Sequence, residues 1–352
     1  MKMTQKNTGA AGTVSVAASA RLHLGFLDLK GGLQRRYGSI GVGITGFSTV
    51  VNASHSDRMD IHGADDDYIA RISQTVLDYF RINSGVRVEV EEHIPRHQGL
   101  GSGTQMALAL GAAITGLYGI NASVEELASA TGRGLRSGVG LGVFKQGGFI
   151  LDSGKTEGNR PPTLIFRHDF PEEWQFVLVM DERTKGVSGT EELEAFNSLP
   201  DMSRAASAEI CQQVLMEMLP SIIENDCRQF GASVSRIQAN IGEYFSTAQD
   251  GLFASDNVRR TLECLLENKA TGIGQTSWGP TGFAVFPDKE SAKQAVDILA
   301  GRDTRVKIRL AGAENRGART SRLETADRRE GTGLKTAAEP SSAKRRELPE
   351  NV

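Results

Sequence analysis

The stretch IPRHQGLGSGTQMALALGAAI, residues 94–114, places a glycine-rich turn directly before an apolar helical pattern. Such a turn presents successive backbone N–H groups at a helix N-terminus, where the helix dipole also favours an anion. Glycines let the backbone approach an oxyanion without Cβ clashes, and hydroxyl side chains add donors or a magnesium ligand. The stretch predicts a phosphate cradle with Ser102 as candidate metal ligand, formed by Gly99, Leu100, Gly101, Ser102, Gly103 and Thr104.

Neither of two common phosphate motifs fits this loop. A Walker loop needs Lys-Ser or Lys-Thr after its last glycine, which is absent here. A dinucleotide-binding turn needs its third glycine at a different position. On spacing alone, an ordinary glycine-rich helix cap remains an open alternative to the phosphate cradle.

Composition excludes several classes of protein. The 352 residues include 40 Lys+Arg and 43 Asp+Glu, and this near balance argues against a nucleic-acid-binding protein. Cys211, Cys227 and Cys264 have no CxxC spacing, which predicts buried thiols in a reducing compartment and no zinc site. Because no apolar run is long enough to span a membrane and the N-terminus lacks a signal-peptide pattern, we expect a soluble cytoplasmic enzyme.

The elements that must position the loop alternate between strands and helices. Residues 14–54 and 86–94 contain alternating apolar and polar side chains, which predicts strands. Helical periodicity predicts helices over about 67–82 and 104–118. In the second half of the chain, the pattern predicts a buried strand, long helices between about 201 and 269, and a strand–helix–strand unit.

This order of elements predicts an α/β protein with two domains. The domains are expected at residues 14–170 and 171–318, after a flexible N-terminus over residues 1–13. From 319 to 352 the chain has few large apolar residues and mixed charge, which predicts a disordered tail.

Two motifs carry a resemblance to a known superfamily. The pattern P-x-x-x-G-L-G-S-G at 95–103 resembles the signature loop of the GHMP kinases, which usually reads P-x-x-x-G-L-G-S-S. The stretch KATGIGQTSWGPTGFAVF at 269–286 stands where the superfamily's third, glycine-rich motif is expected. The resemblance implies an N-terminal domain like ribosomal protein S5 domain 2 and a ferredoxin-like C-terminal domain.

One position departs from these kinases. Many of them carry an Asp after the second helix, in a pattern such as S-G-x-D, that orients or deprotonates the attacking hydroxyl. Here the equivalent stretch is RSGVGLGVF, with Val139, Gly140 and Leu141 and no carboxylate nearby. Because general base catalysis contributes roughly 10²–10⁴-fold in rate, the missing Asp weakens the kinase interpretation.

Four segments in order resemble one branch of the superfamily: ARLHLGFLDLKGGLQRRYGSIGVGI, RSGVGLGVFKQGGFILDSG, GQTSWGPTGFAVF and ENRGA. That branch is the beta-ribofuranosylaminobenzene 5'-phosphate synthases, and the resemblance covers about residues 14–318. It implies a pentosyltransferase that condenses phosphoribosyl pyrophosphate with 4-aminobenzoate, requires Mg²⁺ and releases pyrophosphate and carbon dioxide, in tetrahydromethanopterin biosynthesis. It also implies a homodimer.

The chemistry implied by this resemblance accounts for the missing Asp. The ring carbon that bears the carboxylate attacks ribose C1, and carbon dioxide leaves where a proton would otherwise be removed. No base has to activate the nucleophile. The cradle would hold the leaving pyrophosphate, and Mg²⁺ would neutralise its developing charge.

Asp28 and Arg35 flank the turn LKGGLQ and match this family's Asp and Arg in the same motif. The match implies catalytic roles, in which Asp28 stabilises an oxocarbenium-like ribose or binds the metal and Arg35 binds a phosphate. The alternatives are an Asp that caps the turn and a solvated arginine, either Arg35 or its neighbour Arg36.

Other residues are candidates with structural alternatives. Arg136 and Ser137 are predicted to bind phosphate, with a surface arginine as the alternative for Arg136. Trp278 is predicted to stack on the aromatic substrate or to fill the core. His23 alternates with core residues, which favours a structural histidine over a proton carrier. The loop that contains Lys185, Ser188 and Thr190 is a candidate for closing over substrate.

Two alternative functions remain at this point. A small-molecule kinase of the same fold would consume ATP and use a substitute base, for which Asp28 is the candidate. A non-catalytic protein that binds a phosphate ligand would bind without turnover. An ordinary phosphoribosyltransferase is disfavoured, because no paired acidic residues stand between an apolar strand and a glycine turn.

Overall fold

A computed structural model describes residues 12–29, 34–63, 66–156, 158, 160–184, 199–249, 251–300 and 305–324. The predicted closing loop with Lys185, Ser188 and Thr190 lies outside the described residues. Within the described part, no helix is long and apolar enough to cross a bilayer.

The first sheet has seven strands in the described residues: β1 (Gly12–Asp28), β2 (Tyr37–Ser56), β3 (Asp60–His62), β4 (Gly85–Glu92), β5 (Phe149–Asp152), β6 (Leu164–His168) and β11 (Arg319–Glu324). Their order is β11-β1-β2-β4-β3, and β5 pairs with the first half of β2 and with β6. The predicted alternation in β1 places Leu22 and Leu24 in the core. Register shifts between Ser19 and Ala20 and between His23 and Gly25 interrupt the β1–β2 ladder beside the glycine loop.

Four helices accompany this sheet: α1 (Asp66–Tyr79), α2 (Ser102–Leu117), α3 (Val124–Thr131) and α4 (Val139–Gln146). Helix α2 is buried over most of its length, because it packs against β1, α1 and α3. Ser123 and Glu126, a Ser-x-x-Glu pattern in the sequence, form a capping box at the start of α3. These contacts fix the direction of α2 and therefore the position of the loop that precedes it.

The second sheet is antiparallel and consists of β7 (Gln175–Met180), β8 (Gly272–Gln275), β9 (Gly282–Phe286) and β10 (Lys307–Ala311). Its order is β10-β7-β9-β8, the strand order of a ferredoxin-like fold, so the predicted C-terminal architecture is confirmed. Its helices are α5 (Arg204–Gln213), α6 (Leu219–Ile223), α7 (Cys227–Gln249), α8 (Asp256–Glu267) and α9 (Lys289–Ala300). A π-helical turn, Val214–Met218, joins α5 to α6.

The two sheets share a hydrophobic core. Leu22 and Ile40 of the first sheet belong to the same buried cluster as Phe176 and Phe283 of the second. Phe230 of α7 packs edge-on against Phe149 of β5 at a ring-centroid distance of 6.4 Å. This shared core fixes how the two domains meet, and the glycine loop lies where they meet.

The chain returns to the first sheet after β10. β11 pairs antiparallel with β1, from Ala17 opposite Arg319 to Gly12 opposite Glu324. The predicted limits of disorder are therefore wrong for residues 12–13 and 319–324, which form strands. An edge strand is held by backbone hydrogen bonds and leaves side chains exposed, so the polar sequence RTSRLE carried no apolar signal.

Candidate active site at the domain interface

The glycine loop before α2 depends on backbone conformations that favour glycine. Gly99 and Gly101 have φ angles of +71° and +82°. A Cβ atom on Gly99 would lie 2.4 Å from the carbonyl oxygen of Thr276. Helix α2 begins at Ser102, and among the described residues no acceptor pairs with the backbone N–H of Ser102 or Gly103. These are the groups that a helix N-terminus offers to an anion.

Thr276 connects this loop to both domains. Its hydroxyl donates to the carbonyl oxygen of Gly99 at 2.8 Å and accepts from the backbone N–H of His23 at 2.9 Å. The Arg21 guanidinium also donates to the Gly99 carbonyl, and the Arg21 backbone N–H donates to the Leu100 carbonyl at 3.2 Å. With its carbonyl groups engaged in this way, the loop is held rigidly between β1 and the second sheet.

A cavity of about 420 Å³ adjoins the loop at the domain interface. The structure brings together most of the predicted binding residues along its wall, namely Gly99, Gly101, Ser102, Gly103, Thr104, Arg136, Ser137 and Trp278. Leu100 is the exception, because its side chain is buried in the core beneath the loop.

Five arginines line this cavity: Arg21, Arg71, Arg96, Arg133 and Arg136. No Asp or Glu of the described residues lines it. Of the five arginines, only Arg136 was singled out from the sequence. The others come from β1, α1 and two glycine loops that are distant in sequence, and only the fold brings them together. Their combined charge makes the cavity suited to a polyanionic ligand.

His23 forms part of the cavity wall and is almost completely buried, at 2% exposure. Burial lowers the pKa of its imidazole well below 6.5, and the charges of Arg21 and Arg136 lower it further. Its Nε2 atom has no hydrogen-bond partner among the described residues. His23 is therefore a neutral imidazole beside the cavity.

The same end of the cavity is aromatic. Phe26 lies against His23 with ring centroids 4.3 Å apart, and Trp278 packs on Phe245 with centroids 4.3 Å apart. Both Phe26 and Trp278 line the cavity although each is buried. Trp278 thus fills the core and also offers a surface to an aromatic ligand, so its two predicted roles are compatible.

Asp152 positions the loop that carries Arg136 and Ser137. Its carboxylate accepts from the backbone N–H of Gly138 at 2.8 Å and of Gly154 at 2.7 Å. Burial raises its pKa to about 6, and these hydrogen bonds oppose the rise. Asp152 does not line the cavity, so we interpret it as a structural carboxylate.

The structure does not bring the predicted catalytic residues Asp28 and Arg35 into the cavity wall. Asp28 ends β1 close to α5 and α7, where its charge raises the pKa of Cys211 after the larger effect of burial. The Arg35 guanidinium donates to the carbonyl oxygens of Ser153 at 3.0 Å and Gly154 at 3.2 Å. Residues 30–33 between them are outside the described residues. Their catalytic roles stay predictions that this geometry does not support.

The structure also separates the two predicted magnesium ligands, Ser102 and Asp28. Ser102 lines the cavity, whereas Asp28 does not. No cluster of three His, Cys, Asp or Glu residues in the described part could hold a metal ion. The hydroxyl oxygens of Ser102 and Thr104 fit a Mg²⁺ ion that arrives bound to phosphate oxygens, since Mg²⁺ keeps most of its other ligands from substrate and water.

Comparisons with known proteins agree with this architecture. The family models "GHMP kinases N terminal domain" and "GHMP kinases C terminal" match residues 67–144 and 218–302. Mevalonate diphosphate decarboxylase from Staphylococcus aureus has a similar structure, with a TM-score of 0.66 at 16% identity over 88% of this chain and 98% of that one. At this identity the similarity establishes the fold alone.

Two archaeal sequences named beta-ribofuranosylphenol 5'-phosphate synthase are more informative. The protein of Methanothermobacter thermautotrophicus is 30% identical over 85% of this chain and 96% of its own length. The protein of Methanocaldococcus jannaschii is 28% identical over 81% of this chain and 93% of its own length. The chain therefore belongs to the beta-ribofuranosylphenol 5'-phosphate synthase family, within the GHMP kinase fold.

Proposed function

We propose that this protein is a synthase that forms a carbon–carbon bond between a ribose 5-phosphate unit and an aromatic ring. The donor is phosphoribosyl pyrophosphate and the acceptor is 4-aminobenzoate. The observation that carries the proposal is the composition of the cavity: five arginines and a helix N-terminus, without a carboxylate among the described lining residues. This composition suits a polyanionic donor and a reaction that needs no base.

The relatives' names support the donor half of the proposal. A ribofuranosylphenol 5'-phosphate is a product that carries ribose phosphate on an aromatic ring. The names specify a phenol, whereas the sequence resemblance implied an aminobenzene. Both products would arise from a benzoate with an electron-donating group para to the carboxylate, so the test must compare 4-amino- and 4-hydroxybenzoate.

In the proposed condensation, the bonds that form and break account for every electron pair without an added base. The ring carbon that bears the carboxylate attacks ribose C1, and the C1–oxygen bond to pyrophosphate breaks with its electron pair. The ring–carboxylate bond then breaks, carbon dioxide leaves, and its bonding pair restores the aromatic ring. The N–H groups at the start of α2 would stabilise the charge that develops on pyrophosphate. Bound Mg²⁺ would neutralise part of the same charge.

The aromatic end of the cavity fits the acceptor. Phe26 and Trp278 offer apolar faces, and the neutral imidazole of His23 lies beside them. A carboxylate held against this apolar surface would lose solvation, which favours departure of carbon dioxide. A tight pair with an arginine would instead stabilise the carboxylate and slow its loss. We therefore place the acceptor ring against Phe26 and Trp278. We place the phosphoryl groups against the start of α2 and against Arg71, Arg96 and Arg133, because Arg21 and Arg136 are close enough to His23 to lower its pKa.

The decisive experiment measures carbon dioxide release from carboxyl-labelled 4-aminobenzoate with Mg²⁺ and phosphoribosyl pyrophosphate. A parallel reaction uses 4-hydroxybenzoate, and a third replaces the ribosyl donor with ATP and candidate alcohols. Labelled carbon dioxide that requires the ribosyl donor supports the synthase, and the ratio of the first two rates identifies the para substituent. ATP consumption without carbon dioxide release would refute the synthase and favour a kinase. Binding without turnover in all three reactions would favour a non-catalytic phosphate-binding protein.

A further inference from the structure

Three of the cavity arginines surround one tyrosine. The guanidinium carbons of Arg96, Arg71 and Arg133 lie 5.1, 5.4 and 5.5 Å from the centroid of the Tyr68 ring. Tyr68 and Arg71 belong to α1, Arg96 precedes the glycine loop, and Arg133 follows α3. We call these four residues the Tyr68 cluster.

The Tyr68 cluster brings three positive charges to a cavity wall on which the described residues place no carboxylate. Among the described residues, no carboxylate forms an ion pair with Arg71 or Arg133. Cation–π contacts hold each guanidinium near the ring, but they do not cancel the repulsion between the arginines. A bound dianion would relieve this repulsion, and guanidinium groups bind phosphate oxygens in bidentate geometry.

The cluster adjoins the start of α2. The Tyr68 hydroxyl donates to the Gly103 carbonyl oxygen at 3.1 Å. A Cβ atom on Gly103 would lie 3.6 Å from Nη1 of Arg133. His23, whose buried Nε2 has no partner among the described residues, lines the same cavity. A ligand in this cavity would thus have the cluster and the helix N-terminus available to different groups.

We propose that the Tyr68 cluster is a separate subsite for a phosphate monoester, namely the 5'-phosphate of the ribosyl donor. This assignment rests on the proposed function for the identity of the donor. It also rests on the Mg²⁺ that the sequence resemblance implies: pyrophosphate would bind as a Mg²⁺ complex, and three guanidinium groups repel a divalent cation. The monoester needs no metal, so it occupies the cluster, whereas the pyrophosphate occupies the loop with its hydroxyl groups.

The test uses the two halves of the donor as separate probes. Calorimetry measures binding of ribose 5-phosphate and of inorganic pyrophosphate with Mg²⁺ to the wild type and to the variants Arg71→Gln and Arg133→Gln. We expect each variant to bind ribose 5-phosphate at least about tenfold more weakly, as for loss of a charge-assisted hydrogen bond. Pyrophosphate binding should stay within about threefold, because the loop amides are unchanged.

Arg87→Gln is the matched control. Arg87 lies on β4 outside the cavity, pairs with Asp60 at 3.7 Å and is half exposed, and its loss changes the net charge equally. It should leave both affinities unchanged. Tyr68→Leu removes the ring without changing charge and should weaken ribose 5-phosphate binding while circular dichroism confirms folding.

Two results would overturn the subsite. One is a selective loss of pyrophosphate binding in the cluster variants, and the other is an equal loss of both ligands, which would indicate a general electrostatic effect. The proposed function is tested separately by carbon dioxide release. If the wild type releases none but the variants selectively lose ribose 5-phosphate, the monoester subsite stands and the synthase fails. If the wild type is active and the variants bind ribose 5-phosphate normally, the subsite fails and the synthase stands.

Discussion

The glycine loop at 99–104 and the turn between β1 and β2 were both predicted to be functional, yet they have different surroundings. The loop lies on the cavity wall and is held there by Thr276 and Arg21. The turn carries Asp28 and Arg35, which contact other parts of the protein. A loop that binds a ligand through backbone N–H groups needs glycines, so its sequence predicts the function. A side chain acts only where tertiary contacts place it, and a short motif does not specify those contacts.

The largest effect is expected from Gly99→Ala. The new Cβ would clash with the Thr276 carbonyl and would require a left-handed conformation. Displacement of the loop should reduce kcat/KM by at least about 100-fold, the scale of losing an oxyanion-binding donor. Gly119→Ala is the control, since Gly119 has a φ of +69° but no atom within 4 Å of its Cβ position. It should lower stability by about 1 kcal/mol, measured by urea unfolding, and leave activity intact. Equal losses of kcat/KM in Gly99→Ala and Gly119→Ala would contradict the role of Gly99 in holding the glycine loop in place.

Thr276→Val should have an intermediate effect. It keeps the side-chain shape, but it removes the Thr276 acceptor from the buried His23 N–H and one of two donors from the half-buried Gly99 carbonyl. We expect a loss of about 1–3 kcal/mol in the free energy of unfolding and roughly a tenfold loss in kcat/KM. Thr261→Val, which removes a hydroxyl bonded within α8, is the control and should lower stability without a comparable loss of activity. Unchanged kcat/KM in Thr276→Val would show that the loop does not depend on this contact.

His23→Gln should change how stability depends on pH. Since the folded pKa of His23 is lowered below 6.5, the unfolded chain binds a proton first as the pH falls. Wild-type stability should therefore decrease below about pH 6.5, by up to about 1.4 kcal/mol per pH unit, and be unaffected by this group above it.

Asp152 contributes in the opposite direction, because its raised pKa makes the folded protein bind protons more readily as the pH falls through about 6. The test therefore measures the free energy of urea unfolding at pH 7.5 and at pH 5.5. The change between the two pH values is compared between the wild type and His23→Gln. His55→Gln, on the exposed side of β2, should keep the wild-type difference. If the free energy of unfolding changes equally with pH in the wild type and in His23→Gln, the conclusion that His23 is buried in its neutral form is contradicted.

The smallest effects are expected from Asp28→Asn and Arg35→Gln. Neither residue lines the cavity, so kcat/KM should change by no more than about threefold, while Arg35→Gln should slightly lower stability by releasing the turn at Ser153 and Gly154. Steady-state kinetics and urea unfolding measure these effects. A loss above about 100-fold in kcat with normal folding would restore the catalytic roles that the sequence resemblance implies.

Much of the fold could be predicted because its signals are local. The alternation in β1, the helical periodicity before and after the glycine loop and the Ser123–Glu126 capping box each specify a short element. The edge strand β11 could not be predicted, because exposed polar side chains give no apolar pattern.

The candidate site also has one part that the sequence predicts and one part that it does not. The glycine loop could be predicted because positive φ angles restrict residue type at Gly99 and Gly101. Arg71, Arg96 and Arg133 could not be predicted, because an arginine on a helix surface or in a loop is usually solvated and only packing around Tyr68 distinguishes these three.

The pairing of β11 with β1 has a consequence for synthesis of the chain. β1 is among the first described segments to emerge from the ribosome, and β11 is the last. Until residues 319–324 emerge, the edge of β1 over residues 12–17 has no neighbour and could pair with a second nascent chain. The ferredoxin-like domain is meanwhile complete, so it can fold before the sheet that precedes it in sequence is closed. Emergence of residues 319–324 is thus the step that removes an aggregation-prone edge.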